Sequence, residues 1–264
     1  MTVLTLDQGR YRPFRAGDLD PMDRGLLLGD GVFETFRIAE GEIAWIKAHS
    51  ERLAAACAAF DLPDPDWTAI SDAVSRHDGP GRVTVLRGPG PRGLGVIADP
   101  EPVTLLHLSL ASPPPHQISL QVSQLRRLPG SLTARHKTLS YAENTAARRE
   151  AVAAGADMAL LLTVDGHVSG ADCANVFWIA DGRIYTPSMA CAIRPGVMRE
   201  RVMAAAAELG LPVSEGSYQL SDLQAAGHVF LTNSVMGVVP AYLPEHGLMP
   251  RSPMLEALRS AIRG

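Results

Sequence analysis

Residues 135–149 read Arg135-His136-Lys137-Thr138-Leu139-Ser140-Tyr141-Ala142-Glu143-Asn144-Thr145-Ala146-Ala147-Arg148-Arg149, and Lys137 is the position from which the rest is best read. Of the 24 basic residues in the 264-residue chain, only Lys47 and Lys137 are lysine, and the other 22 are arginine. A chain so biased uses arginine wherever any cation serves. A surviving lysine therefore points to chemistry that only an amine performs, such as Schiff-base formation. Chance survival on a surface is the alternative for either lysine. Context separates them: Lys47 opens an amphipathic helix and reads as a surface residue, whereas Lys137 lies between a strand and a helix.

Upstream of this stretch, residues 31–39 (GVFETFRIA) and 42–46 (EIAWI) read as two strands turning at Glu40-Gly41. Residues 47–61 form an alanine-rich helix, and Pro65-Asp66-Trp67 starts another that runs to about His77. Strand-like runs follow at 82–87 (RVTVLR) and 103–110 (VTLLHLSL). Ser112-Pro113-Pro114-Pro115 breaks every regular element, because proline lacks the N–H and stiffens the chain. Beyond it come a strand at 117–124, a helix over 139–154, strands at 158–164 and 173–180, and a helix over 197–209. Strands near 228–232 and 235–240 and a short helix from Pro253 complete the chain. The pattern predicts an α+β protein of two domains, each a sheet flanked by helices: residues 1–112, a linker at 113–116, and a larger C-terminal domain at 117–264.

Composition narrows the function classes. Apolar residues make up 46% and charged residues 20%, which excludes a disordered chain. The formal net charge is −4 with no basic block, so nucleic acid is not an expected partner. No apolar run approaches the ~18 residues of a membrane span, and the first ten residues lack a signal-peptide core. Cys57, Cys173 and Cys191 are too few and too scattered for a disulfide framework or a zinc site, so no metal is expected and the expected address is the cytosol.

Several ordered blocks between Asp23 and about Pro240 give the chain a strong resemblance to the fold-type IV pyridoxal-phosphate enzymes, the class IV aminotransferases. Asp23-Arg24-Gly25-Leu26-Leu27-Leu28-Gly29-Asp30-Gly31-Val32-Phe33-Glu34-Thr35 resembles their opening strand pair. His49-Ser50-Glu51-Arg52-Leu53 resembles the helix whose arginine holds the cofactor phosphate; without the flanking blocks Arg52 would read as a solvated helix arginine. His136-Lys137-Thr138-Leu139 matches the segment of the cofactor lysine. Asp165-Gly166-His167-Val168-Ser169 with Asn175-Val176-Phe177, then Arg194-Pro195-Gly196-Val197-Met198-Arg199, and finally Leu231-Thr232-Asn233-Ser234-Val235-Met236 complete the set. The Pro-Gly turn has a physical reading of its own: it opens a helix whose Val197 and Met198 N–H groups lack partners, which suits a phosphate or merely an ordinary helix start.

The resemblance implies pyridoxal 5'-phosphate as cofactor. Lys137 would carry it as a Schiff base and later move the substrate α-proton, while Arg52, the Val197 and Met198 amides and Ser234 would hold its phosphate. Arg92, in the Arg87-Gly88-Pro89-Gly90-Pro91-Arg92-Gly93 loop, falls where relatives carry a substrate-side arginine, although a loop arginine is also commonly just solvated. Phe33 and Asn233 are assigned to the substrate side with it. A homodimer whose sites are completed across the interface is also implied. One position departs from the family. Relatives place a glutamate against the pyridine nitrogen where this chain has Gly170; Asp172, on the same face of an extended segment, is the candidate replacement, and hydrogen bonding to local backbone is its alternative. Leu28 and Leu94 depart from branched-chain and D-amino-acid transaminases respectively. The expected activity is cleavage of 4-amino-4-deoxychorismate to 4-aminobenzoate and pyruvate. The alternatives are a class IV transaminase acting on D-amino acids, branched-chain amino acids or (R)-amines, and a cofactor-binding protein with little turnover.

Overall fold

Strands β1 (Thr2–Asp7) and β2 (Arg10–Pro13) pair antiparallel around Gln8-Gly9, placing Thr5 opposite Arg12. The computed structural model to which they belong describes residues 1–263. Asp23 caps the short helix α1 (Arg24–Leu28), its carboxylate accepting the Gly25 N–H at 2.6 Å. The block at 23–35 thus begins with a helix rather than a strand pair, and only Gly31 onward is extended. β3 (Gly31–Ala39) turns into β4 (Glu42–Ile43) through Glu40 and Gly41, both at positive φ, the backbone a two-residue hairpin requires. Helix α2 (Ile46–Ala59) follows directly, and Asp66 caps α3 (Trp67–Val74) by accepting the Thr68 and Ala69 N–H groups. β5 (Gly79–Leu86) and β6 (Val103–Leu108) complete a six-stranded sheet of order β2-β1-β6-β5-β3-β4.

This sheet and its helices form one unit, Met1–Ser112, to which His136–Ser140 also belongs. The Lys137 segment therefore lies in the first unit and not, as the sequence division has it, with residues 117–264. Phe36, Ile38, Leu53, Ile70, Val83 and Leu106 make the unit's core, each fully buried. Each such burial contributes about 1.5–3 kcal/mol.

The second unit comprises Pro113–Arg135 and Tyr141–Gly264. Its strands are β7 (Ile118–Arg127), β8 (Met158–Thr163), β9 (Val168–Ala171), β10 (Asn175–Ala180), β11 (Arg183–Pro187), β12 (Val213–Gly216), β13 (His228–Asn233) and β14 (Gly237–Tyr242). They form one mixed sheet of order β12-β11-β10-β13-β14-β7-β8-β9. Its helices are α4 (Leu132–Arg135), α5 (Ala142–Ala153), α6 (Val197–Glu208), α7 (Leu220–Gln224) and α8 (Pro253–Arg263). Alanines let α5 approach closely: Ala147 and Ala151 pack with Ala159 and Leu161 of β8. Ile118, Leu160, Trp178 and Leu231 belong to the main core of this unit.

Candidate active site

In the first unit, Lys137 is held by backbone. The Phe33 N–H donates to the Lys137 carbonyl at 2.8 Å, the Leu139 N–H to the Gly31 carbonyl at 2.9 Å, and Val32 bridges Thr138. The segment thereby acts as a short strand laid on β3, which fixes where the lysine side chain begins. Its Nζ stands 4.2 Å from the centre of the Phe33 ring, and the Arg82 guanidinium stands 3.7 Å from the same ring. Phe33 is buried, so it is a platform for Lys137 more than an exposed substrate surface. Lys47, by contrast, is 88% exposed with only a 3.9 Å contact to Glu51 one turn on.

Arg52 is not a solvated helix arginine. Its Nε donates to Glu34 Oε2 at 2.8 Å and its Nη2 to Oε1 at 2.5 Å. Glu34 is wholly buried and also accepts from the Thr35 N–H at 2.8 Å, with His49 Nδ1 at 3.0 Å. Burial by itself would raise the Glu34 carboxyl, but the Arg52 charge and the His49 hydrogen bond outweigh it and hold it at about 2. The ionised carboxylate accepts only, so His49 Nδ1 carries its hydrogen there. The fork uses two of the five guanidinium donors and fixes the plane of the rest. Sequence reasoning missed Glu34 because its partner lies 18 residues away on a different element. Arg92 sits exposed in the loop between β5 and β6.

In the second unit, the start of α6 has no side-chain cap. Gly196 is obligatory there, since a Cβ would fall 2.0 Å from Asn175 Oδ1. Asn175 donates from Nδ2 to the Arg194 carbonyl at 3.1 Å and pairs across strands with Thr232. That brings the Val197 and Met198 amides, Thr232 and the turn after β13 to one end of the sheet. Thr232 Oγ1 is buried with no hydrogen-bond partner among the described residues, and Ser234 follows two residues later, half-buried. Asn233 is a correction. Its Oδ1 accepts the Val235 and Met236 N–H groups at 3.0 and 2.9 Å, and its Nδ2 faces the Cys173 carbonyl at 3.4 Å, so its amide builds the turn and is spent.

Asp172 is a second correction. β9 ends at Ala171 and Asp172 lies in a bend, so the shared extended face with Gly170 does not exist. Arg148 of α5 donates to the Asp172 carboxylate from Nε at 2.7 Å and Nη2 at 2.5 Å, and the Ala159 N–H donates at 2.8 Å. That carboxylate ties α5 to β8 and is not on offer to a ring nitrogen. Beside Gly170 stands an arginine instead: a Cβ there would lie 3.9 Å from Arg127 Nη1. Burial, and next to it the charge of Arg194, lowers the Arg127 guanidinium to about 10, and its Nη2 donates to the Ala171 carbonyl at 3.1 Å. Arg194 in turn reaches the Tyr141 hydroxyl. No group of acidic, histidine or cysteine side chains among the described residues could hold a metal, and none of their helices is long and apolar enough to cross a membrane.

A family model described as amino-transferase class IV matches residues 31–242. The chain is 30% identical to an aminodeoxychorismate lyase of Vibrio harveyi, over 83% of this chain and 84% of that one. It is 32% identical to an aminodeoxychorismate lyase of Bacillus subtilis, over 88% of this chain and 83% of that one. It also superposes on the solved structure of the 4-amino-4-deoxychorismate lyase from Pseudomonas aeruginosa with a TM-score of 0.83 and 27% identity, covering 98% of each chain.

Proposed function

Because the chain belongs to the class IV amino-transferases, we propose that it is a pyridoxal 5'-phosphate enzyme that cleaves 4-amino-4-deoxychorismate to 4-aminobenzoate and pyruvate. The observation that carries this reading is the likeness, at 30% and 32% identity over more than four fifths of the chain, to two relatives bearing that lyase name.

The donor set suits both ends of the cofactor. For the phosphate there are the unpartnered amides at the start of α6, where glycine alone leaves room, and the orphaned Thr232 hydroxyl buried nearby. Ser234 and Arg52 would join them. Because Glu34 already balances the Arg52 charge, Arg52 would contribute directed donors more than net positive potential. For the aldehyde there is Lys137, whose backbone is fixed on β3 and whose amine stands over Phe33.

When bound, the cofactor supplies a conjugated ring that takes up the electrons of a carbanion next to the substrate nitrogen. Lys137 would hold it covalently and, displaced by the substrate amine, would take the α-proton and return it as a general acid. Arg92 would grip a substrate carboxylate through its planar fork. A homodimer in a reducing compartment completes the proposal, and the free Cys57, Cys173 and Cys191 suit such a compartment.

The second reading, a transaminase, is favoured by the family description itself. The experiment is to supply 4-amino-4-deoxychorismate without any keto acid and follow 4-aminobenzoate. Its appearance, lost in Lys137→Ala and kept in Lys47→Ala, supports the lyase. No product there, but amino transfer from D-alanine, a branched-chain amino acid or an (R)-amine to 2-oxoglutarate, overturns the lyase in favour of the transaminase. Cofactor absorbance with neither activity leaves a binding protein.

A further inference from the structure

The loop that carries Arg92 is anchored by one residue of a different element. Arg24, the first residue of α1, has its side chain 11% exposed and donates from Nη1 to the carbonyls of Gly93 at 3.0 Å and Gly95 at 3.2 Å. These are the carbonyls immediately after Arg92 and on either side of Leu94. Its Nε donates to Asp30 Oδ2 at 3.2 Å, and its backbone N–H to the Gly88 carbonyl at 3.0 Å. Asp23 bridges Pro89 just beside it.

The same Asp30 takes a second arginine. Arg87 donates to it from Nε and Nη2 at 3.1–3.3 Å, and its remaining donors reach the Phe60 and Asp61 carbonyls after α2. Asp30 is thus a junction for two buried cations. Burial opposes its ionisation, but hydrogen bonds from Arg87 and Arg24 outweigh that and lower its pKa. The loop is shaped to receive the clamp. Gly88 sits at φ +88° with its Cα side 2.1 Å too near the Glu101 carbonyl for any Cβ to fit between them, and a Cβ on Gly90 would meet Arg24 Cδ at 2.8 Å.

Two arginines on one carboxylate are a costly way to close a loop that could simply be short, and three simultaneous donations need a guanidinium. We infer that Arg24, held by Asp30, is a positioning residue that sets the path of residues 88–101 and hence where Arg92 presents its charge to a carboxylate-bearing substrate. The inference rests on the reading of Arg92 given above. Arg24 itself touches only protein.

The test uses the full chain loaded with pyridoxal 5'-phosphate, in four forms: Arg24→Gln, Arg24→Lys, Arg92→Ala and the Arg24→Gln/Arg92→Ala pair. Amide hydrogen exchange over residues 88–98 reports the clamp directly. KM and kcat for 4-amino-4-deoxychorismate report its consequence. Arg24→Gln should speed exchange of the loop at least about tenfold and raise KM roughly tenfold with kcat changed much less, since one lost charge-assisted anchor is worth about that factor. Arg24→Lys, which keeps the charge and one donor direction, should recover part of both effects. The double variant should have the KM of Arg92→Ala, because Arg24 acts only through it. Unchanged exchange in both Arg24 variants overturns the clamp. Faster exchange with an unchanged KM, while Arg92→Ala raises KM, overturns the positioning role. An unchanged KM in Arg92→Ala overturns the earlier reading of Arg92 instead, and the exchange rates then support or overturn the clamp by themselves.

Discussion

Gly170 marks the point where a single residue decides between two chemistries. The family resemblance puts a carboxylate at this position to keep a ring nitrogen protonated, and the chain has instead a buried arginine 3.9 Å from where that side chain would begin. An arginine cannot hand a proton to a pyridine nitrogen and keep its own charge cheaply; it can only donate a hydrogen bond. Gly170→Glu would place its carboxylate against Arg127, and the Ala174 carbonyl, 3.1 Å from the new Cβ, would have to yield by a few tenths of an ångström. The expected result is an ion pair with Arg127, a raised melting temperature and no gain in turnover. A rate increase of tenfold or more would mean that the site lacks only a carboxylate. Glu34 gives a second expectation at this scale. Its folded-state pKa lies below its unfolded value, so the stability it confers is fully present above about 4.5 and is lost as pH falls toward about 2. The contribution is ~3 kcal/mol for a shift of this size. Glu34→Gln should therefore flatten the acid limb of an unfolding-versus-pH curve between those values, and an unchanged limb would remove the buried ion pair from the stability of the first unit.

Elements show what a sequence can and cannot disclose. Lys137 is legible because arginine has replaced nearly every other lysine, and β3, β5, α2, α3 and α6 are legible because their apolar spacing and caps agree. β1 and β2 are not. Among their residues only Thr5 is buried, so no alternating apolar signal exists to read. α1 misleads for the opposite reason, since Leu26, Leu27 and Leu28 face outward and an apolar run suggests a strand. Asp172 was assigned from strand periodicity, but its partner Arg148 lies 24 residues earlier on a helix, a pairing that only tertiary packing creates. Gly196 was legible as a turn and illegible as a cradle, because the side chain that fills its missing Cβ comes from Asn175. Gly196→Ala tests that element. Ala must push Asn175 off the Arg194 carbonyl, which should cost about 1–3 kcal/mol as an overpacked contact. It should also weaken retention of pyridoxal 5'-phosphate while leaving that of pyridoxal, which lacks the phosphate, nearly unchanged. Adding Asn175→Ala should relieve the clash and recover much of the stability. Equal losses for both compounds would show that the start of α6 does not meet the phosphate.

At the scale of the whole molecule the question is why so much apolar surface is left on the first unit. Leu26, Leu27 and Leu28 are 59%, 55% and 44% exposed on a single helical turn and a half, and Leu94 and Val96 stand out further on the loop that Arg24 ties to that same helix. Scattered exposed leucines need no explanation, but five gathered on two linked segments exceed what a monomer with a net charge of only −4 usually carries. A second copy of this chain is the partner that the proposed function calls for, since the loop with Arg92 is then placed to serve a neighbour's site. A two-fold interface brings the same patch of both copies together, so one substitution is felt twice. Sedimentation should accordingly give twice the 28.1 kDa chain mass for the native protein. Leu27→Glu should shift it to the monomer and raise KM for the amino substrate, because two carboxylates would face one another across the axis. It should leave the absorbance of bound pyridoxal 5'-phosphate in place, since the cradle at α6 and the Lys137 segment do not include Leu27. A native protein that sediments at 28.1 kDa with full activity would detach the exposed leucines, and Arg92 with them, from the working site.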